Sequence, residues 1–184
     1  FVIAGNWKMY KTVDESREFI QALANEFSDT PGLTVIVFPP FTSLPAVSGL
    51  VARIHVGAQN LYFEEKGAFT GEISARMLQG LAEYALVGHS ERRQVFHESD
   101  EDVNRKLLAA LAAGLKPVLC VGETLPEREA GQTLEKVQGQ LDRGLAGVKG
   151  GDWERVIVAY EPIWAIGTGR NATPQQAEEV HRHI

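Results

Sequence analysis

Six short runs of branched and apolar residues constrain this chain more than any other feature. They are FVIAGNW at 1–7, LTVIVF at 33–38, IHVGAQ at 54–59, YALVGH at 84–89, KPVLCVG at 116–122 and RVIVAYE at 155–161. Each has strand length and strand composition. Between them lie stretches with helical period, such as Phe19, Ile20, Leu23 and Phe27 after the first run and Val103, Leu107, Leu108 and Leu111 after the fourth. Ser99 reads as an N-cap, Gly114 as a helix stop, and Thr173 with Pro174 as a cap followed by a first helical residue. Nearly continuous apolar strands alternating with amphipathic helices predict an α/β fold, a parallel sheet covered by helices.

Two architectures fit that alternation, an open doubly wound sheet and a (β/α) barrel. An open nucleotide-binding sheet carries a glycine-rich turn after its first strand. Here that turn reads GNWKMYK, with no G-x-G-x-x-G and no G-x-x-x-x-G-K-[ST]. Polar residues instead end several runs: Asn6 and Lys8, Gln59 and Asn60, His89, Glu123 and Glu161. Catalytic groups drawn from the ends of several strands are the pattern of a barrel's active face.

With 184 residues, 44% of them hydrophobic, the chain suffices for one sizeable core and is short for two, so a single domain over 1–184 is expected. A net charge of −6 argues against a nucleic-acid partner. The longest apolar stretch, LLAALAAGL, falls well below the ~20 residues of a membrane span. The single cysteine, Cys120, permits no intramolecular disulfide, and a reducing, cytoplasmic setting is expected. Cys120 alternates with Val118 in an apolar strand and reads as a core residue. His55, His97, His181 and His183 lack ligand spacing, so no metal site is expected.

AYEPIWAIGTGR, residues 159–170, places Glu161 at the end of a strand-like run, held extended by Pro162. Apolar residues and two glycines follow. The segment reads either as a lid over a site or as an ordinary loop after a strand. A carboxylate of ordinary acidity becomes a stronger base where water is excluded, so a lid would suit one acting as a base. VGHSERR, residues 87–93, places His89 where a helix can begin at Ser90 and Glu91; the dipole there disfavours imidazolium, and a neutral ring could donate to a substrate oxygen. A structural histidine is the alternative. Asn6 and Lys8, two apart at a strand end, are expected to point the same way, the amine offering charge to an anion or simply sitting in solvent. Glu91 reads as a partner of Lys8 or as part of a solvated helix face.

Taken in order, GNWKM, GAQN, GAFTGEIS, VGHSERR, PVLCVGE and AYEPIWAIGTG resemble the signature segments of the triosephosphate isomerase family along the whole chain. The resemblance implies a TIM (β/α)8 barrel, present here as an incomplete barrel of about six βα units. It implies interconversion of glyceraldehyde 3-phosphate and dihydroxyacetone phosphate through an enediolate, in glycolysis and gluconeogenesis, with no cofactor. Glu161 then resembles the base, His89 the neutral electrophile and Lys8 the cation that attracts the substrate dianion. Asn6, beside Lys8, resembles a second substrate-binding residue, and Glu91 the supporting acidic neighbour of Lys8. PIWAIGTGR resembles the mobile lid, and Gly167 its phosphate-contacting glycine. GAFTGE, with Thr70 near its tip, resembles the loop that enters a second subunit of a homodimer.

A complete barrel has eight units and about 250 residues. The chain opens inside a strand, where an initiator methionine is expected to be missing, and it ends at AEEVHRHI, before the expected seventh and eighth strands. Those strands carry loops that form much of the phosphate site. The alternative to an enzyme is therefore a truncated, non-catalytic barrel fragment or interaction module. An isomerase of another phosphorylated carbonyl compound is disfavoured by the lid and by VGHSERR.

Overall fold

All six runs form strands. The computed structural model describes residues 1–26 and 30–184. The strands are β1 (Val2–Asn6), β2 (Thr34–Phe38), β3 (Ile54–Ala58), β4 (Tyr84–Val87), β5 (Lys116–Val121) and β6 (Ile157–Tyr160). The helices are α1 (Val13–Glu26), α2 (Leu44–Val47), α3 (Ser90–Gln94), α4 (Asp100–Ala112), α5 (Leu125–Glu129), α6 (Thr133–Gly144) and α7 (Pro174–His183). Phe27, read as part of the first helical stripe, lies outside the described residues.

The chain forms two compact units, Phe1–Leu86 with Ala109–Pro117, and Val87–Leu108 with Val118–Ile184. In the first, the strands follow sequence order β1-β2-β3-β4, each pair parallel, with Gly5 opposite Val37 and Gly57 opposite Tyr84. Its core gathers Ile20, Val37, Val56, Leu61 and Leu78 with Leu115. In the second, β5 and β6 run parallel with Val118 opposite Ile157 and Val121 opposite Tyr160. Val103, Leu107, Leu119 and Val137 are fully buried there.

The expected caps are present. Ser99 Oγ accepts from Asp102 N–H at 3.1 Å while Asp102 Oδ2 accepts from Ser99 N–H, a reciprocal box. Thr173 and Gln176 make the same exchange ahead of Pro174. Gly114, just past α4, takes a left-handed φ of +86°. None of the helices in the described residues is long and apolar enough to cross a membrane.

Two expectations do not carry over. Uniformly buried strands are found for β2, β4 and β5 apart from their first residues, but β1 is exposed, with Val2 and Ile3 about half accessible, and β6 is half-buried. Each of these two strands has a single hydrogen-bonded neighbour among the described residues, which leaves less of it covered. Phe19 is not a core residue. It packs edge-on against Trp7 at 5.3 Å under the Lys11 ammonium, while α1 buries Ser16, Ile20 and Ala24 instead.

At Gly57 an added Cβ would stand 2.2 Å from Cε1 of the fully buried Phe38 ring. Gly57→Ala is expected to destabilise the chain by about 1–3 kcal/mol, as core overpacking does, measured as a lower urea midpoint with an unchanged m value.

Candidate active site

Glu161 stands one residue past β6. Its N–H donates to Val121 O at 2.8 Å, which continues the β5–β6 ladder and holds the residue on the sheet. Its approach to β5 is possible only because residue 122 is glycine: a Cβ there would lie 1.9 Å from the Glu161 carbonyl oxygen. Gly122 is itself held by its N–H, which donates to buried Gln140 Oε1 at 2.8 Å.

His89 does not lie within a strand. β4 stops at Val87, and Gly88 turns the chain with a φ of +70°, so the imidazole arrives at the N-cap of α3. Its Nδ1 accepts the Glu91 backbone N–H at 3.2 Å. A nitrogen that accepts from an N–H holds no proton, so the ring is neutral with its proton on Nε2. That nitrogen lies 3.1 Å from Glu161 Oε1, and Ser90 N–H donates to Glu161 Oε2 at 3.0 Å. Imidazole and carboxylate are both largely buried, their side chains 8% and 19% exposed.

Glu91 Oε2 lies 3.8 Å from His89 Nδ1, and because that nitrogen is unprotonated the contact is not an ion pair. Cys120, beside Glu161, is buried as expected of a core residue. Burial, and then the Glu161 charge, push its thiol well above the ordinary range.

Asn6 and Lys8 belong to the first unit. The strand ends at Asn6, and Lys8 takes a left-handed φ of +52°, so strand alternation does not govern its direction. Two side chains fix this turn. Asn6 Oδ1 accepts the Lys8 N–H at 2.9 Å, and Gln59 Nε2 donates to Lys8 O and to Phe38 O, each at 2.8 Å.

The segment after Glu161 is anchored at one end and exposed at the other. Gly167 and Gly169 are exposed with φ of +68° and +76°, backbone that glycine adopts without strain. Trp164, by contrast, is buried, its indole N–H donating to Glu123 Oε1 at 2.9 Å. The largest apolar side chain of this segment is thus turned down against the protein.

Glu123 is not an open group on an active face. It is fully buried and accepts hydrogen bonds from Tyr160 Oη, Trp164 Nε1, Arg128 Nη1 and Thr133 Oγ1. Burial, and then the Glu123 charge, raise the Tyr160 phenol above its ordinary range. The readable trace of this anchor is that Tyr160 and Trp164, the two donors flanking the EPI turn, lie four residues apart. The described residues contain no cluster of three or more His, Cys, Asp or Glu that could hold a metal ion.

Comparison with known proteins agrees along the whole chain. The family model for triosephosphate isomerase matches residues 1–184. The chain belongs to the triosephosphate isomerase family. It is 50% identical to a triosephosphate isomerase of Carboxydothermus hydrogenoformans over 99% of the chain and 74% of that relative. It is 51% identical to one of Clostridium tetani over 97% of the chain and 71% of the relative. With one of Chloroflexus aurantiacus it shares 52% identity over 100% of the chain and 74% of the relative. The six strands are therefore βα units of an incomplete (β/α)8 barrel, the architecture of this family.

Trp164→Phe removes one donor from the buried Glu123 carboxylate and keeps the ring. A loss of about 1–3 kcal/mol is expected, read from chemical unfolding, with faster amide exchange across residues 163–169.

Proposed function

We infer that Glu161 and His89 carry the proton transfers of triose-phosphate isomerisation, the reaction that interconverts glyceraldehyde 3-phosphate and dihydroxyacetone phosphate. Family membership supplies the reaction, and the match over the whole chain favours an enzyme over a non-catalytic fragment. The assignment of roles rests on the hydrogen bond from Glu91 N–H to His89 Nδ1, which leaves Nε2–H as the donor beside the carboxylate.

In the arrangement described, both Glu161 oxygens are occupied, one by His89 Nε2 and one by Ser90 N–H. A substrate carbonyl that takes over the Nε2–H leaves Oε1 free to receive a proton from the adjacent carbon. The electron pair of that C–H bond then becomes the enediolate double bond, and the negative charge gathers on the oxygen facing Nε2. His89 then gives its Nε2 proton to that oxygen and takes the proton of the hydroxyl on the other carbon, while Glu161 returns its proton to the former carbonyl carbon. The new carbonyl forms where the hydroxyl was, acid and base are regenerated, and no cofactor enters.

Lys8 is assigned the attraction of the dianionic substrate, with Asn6 as the residue that sets its turn. Gly167 is assigned a backbone N–H contact to the phosphate, and Glu91 the support of His89. Residues 162–170 are assigned the lid. Trp164, bonded to Glu123, anchors the start of that segment, and the glycines at its far end leave the rest free to fold over a substrate.

The loop around Thr70 is assigned to a homodimer contact. Thr70 is exposed, as is Phe69, which packs against Tyr62 at 4.8 Å. The lone buried thiol fits a reducing compartment, and the cytoplasm is the assigned location.

In a coupled assay with glyceraldehyde 3-phosphate, Glu161→Ala is expected to lower kcat by about 10³ to 10⁴ and His89→Gln by about 10². Full activity in Glu161→Ala would remove the carboxylate from the mechanism. Sedimentation should give a dimer for the chain and a monomer for Thr70→Asp; a monomer in both would withdraw the loop assignment.

A further inference from the structure

His89 and Glu161 reach each other from different segments, and their separation of 3.1 Å needs something to hold it. Glu161 is fixed to β5 through Val121 O and the bare face of Gly122. His89 follows Gly88, which turns sharply out of β4. A single guanidinium touches both sides. Arg93 Nε donates to Gly88 O at 2.7 Å and Nη2 to Cys120 O on β5 at 3.4 Å.

We propose that Arg93 is a positioning residue for the proton-transfer pair, clamping the carbonyl before His89 to the strand that carries the Glu161 backbone contact. The proposal rests on the assignment of His89 and Glu161 given above. The Arg93 side chain is hydrogen-bonded to neither of them, although its backbone N–H donates to His89 O at 3.1 Å in the first turn of α3, and the clamp acts through the backbone.

The rest of its surroundings fits a clamp. The third arm of the guanidinium, Nη1, donates to Asp100 Oδ1 at 2.6 Å, and Asp100 Oδ2 accepts from Arg143 Nε at 2.7 Å. Burial raises the Asp100 carboxyl, but the hydrogen bonds from Arg93 and Arg143 outweigh it and hold it below its usual value. The outer arm of the fork thus pairs with a carboxylate, while the two inner arms hold the backbone carbonyls, and only 12% of the Arg93 side chain is exposed. Gly88 is shaped to accept it: a Cβ there would stand 2.8 Å from Arg93 Nη2 and 3.0 Å from Val103. Three donors diverging from a rigid plane reach three acceptors on three segments, Gly88, Cys120 and Asp100. A lysine ammonium on a flexible stem cannot span them at once.

A purely structural salt bridge predicts something different from a clamp. If Arg93 only secured α4 through Asp100, then Arg93→Lys and Asp100→Asn would both lower stability and leave kcat of the folded protein unchanged. The clamp predicts that Arg93→Lys and Arg93→Met lower kcat by about 10- to 100-fold with KM changed less than about threefold, since small misplacements of reacting groups cost that much. Asp100→Asn, which keeps an oxygen for Nη1, should lose stability but keep kcat within about threefold. The hydrogen-bonded proton on His89 Nε2, followed by NMR, should weaken or vanish in Arg93→Lys and persist in Asp100→Asn.

Folded Arg93→Lys with unchanged kcat and an unchanged Nε2 proton signal overturns the proposal, as does an equal kcat loss in Asp100→Asn. Should neither Arg93 variant fold, the wild-type protein decides: a scalar coupling across the hydrogen bond from Arg93 Nε to the Gly88 carbonyl carbon supports the clamp, and its absence overturns it. The underlying reading fails separately. Retained activity in His89→Gln or Glu161→Ala would sink the role assignment, whereas loss in those two with full activity in Arg93→Lys sinks only the clamp.

Discussion

The absence of a side chain at residue 122 sets the geometry on which the second unit depends. With 1.9 Å between a would-be Cβ and the Glu161 carbonyl oxygen, the chain leaving β6 can stay against β5 past the last paired residue. That close approach fixes where the Glu161 carboxylate emerges. It also brings Tyr160 and Trp164, on either side of Glu161, onto the next residue after the glycine, Glu123. One backbone contact thus places both the Glu161 carboxylate and the anchor of the following segment. The two carboxylates are held in different ways. Glu161 is held by two donors in a partly open setting, and Glu123 by four different side chains in a closed one.

The electrostatics follow from counting donors. A buried carboxylate is tolerated where its lone pairs are filled, and Glu123 has an arginine, a phenol, an indole and a hydroxyl to fill them. Glu161 has one backbone N–H and one imidazole N–H, both of which a substrate or a small shift can replace. The difference in donor number separates a carboxylate fixed in place from one suited to the role proposed for Glu161.

Much of the fold was legible because six strand-length apolar runs leave few alternatives, and the caps at Ser99, Gly114 and Thr173 are local chemistry. Strand ends were less legible. Gly88 breaks β4 before His89, and Lys8 turns left-handed after Asn6, because backbone conformation at such points is decided by partners far along the chain, Gln59 in the case of Lys8. Burial misled in a similar way. Phe19 has the spacing of a core residue, yet it covers Trp7 at the surface, and β1 is exposed despite its composition. In the site, Glu161 and His89 could be singled out because each ends a strand-like run, whereas the roles of Glu123 and Trp164 depend on a contact across 41 residues that no local pattern encodes.

The left-handed turn at Lys8 carries a consequence for how such a chain can change. A non-glycine residue in that region costs on the order of 1–2 kcal/mol, and here the cost is offset by the Asn6 and Gln59 hydrogen bonds that hold the turn. Glycine at position 8 would relieve the strain and give up the ammonium. Variation under selection for thermal robustness alone would drift toward glycine or asparagine there, while the role proposed for the Lys8 ammonium in turnover would hold lysine in place. The residue marks a site of trade-off, at which a more durable chain and a more capable one require different amino acids.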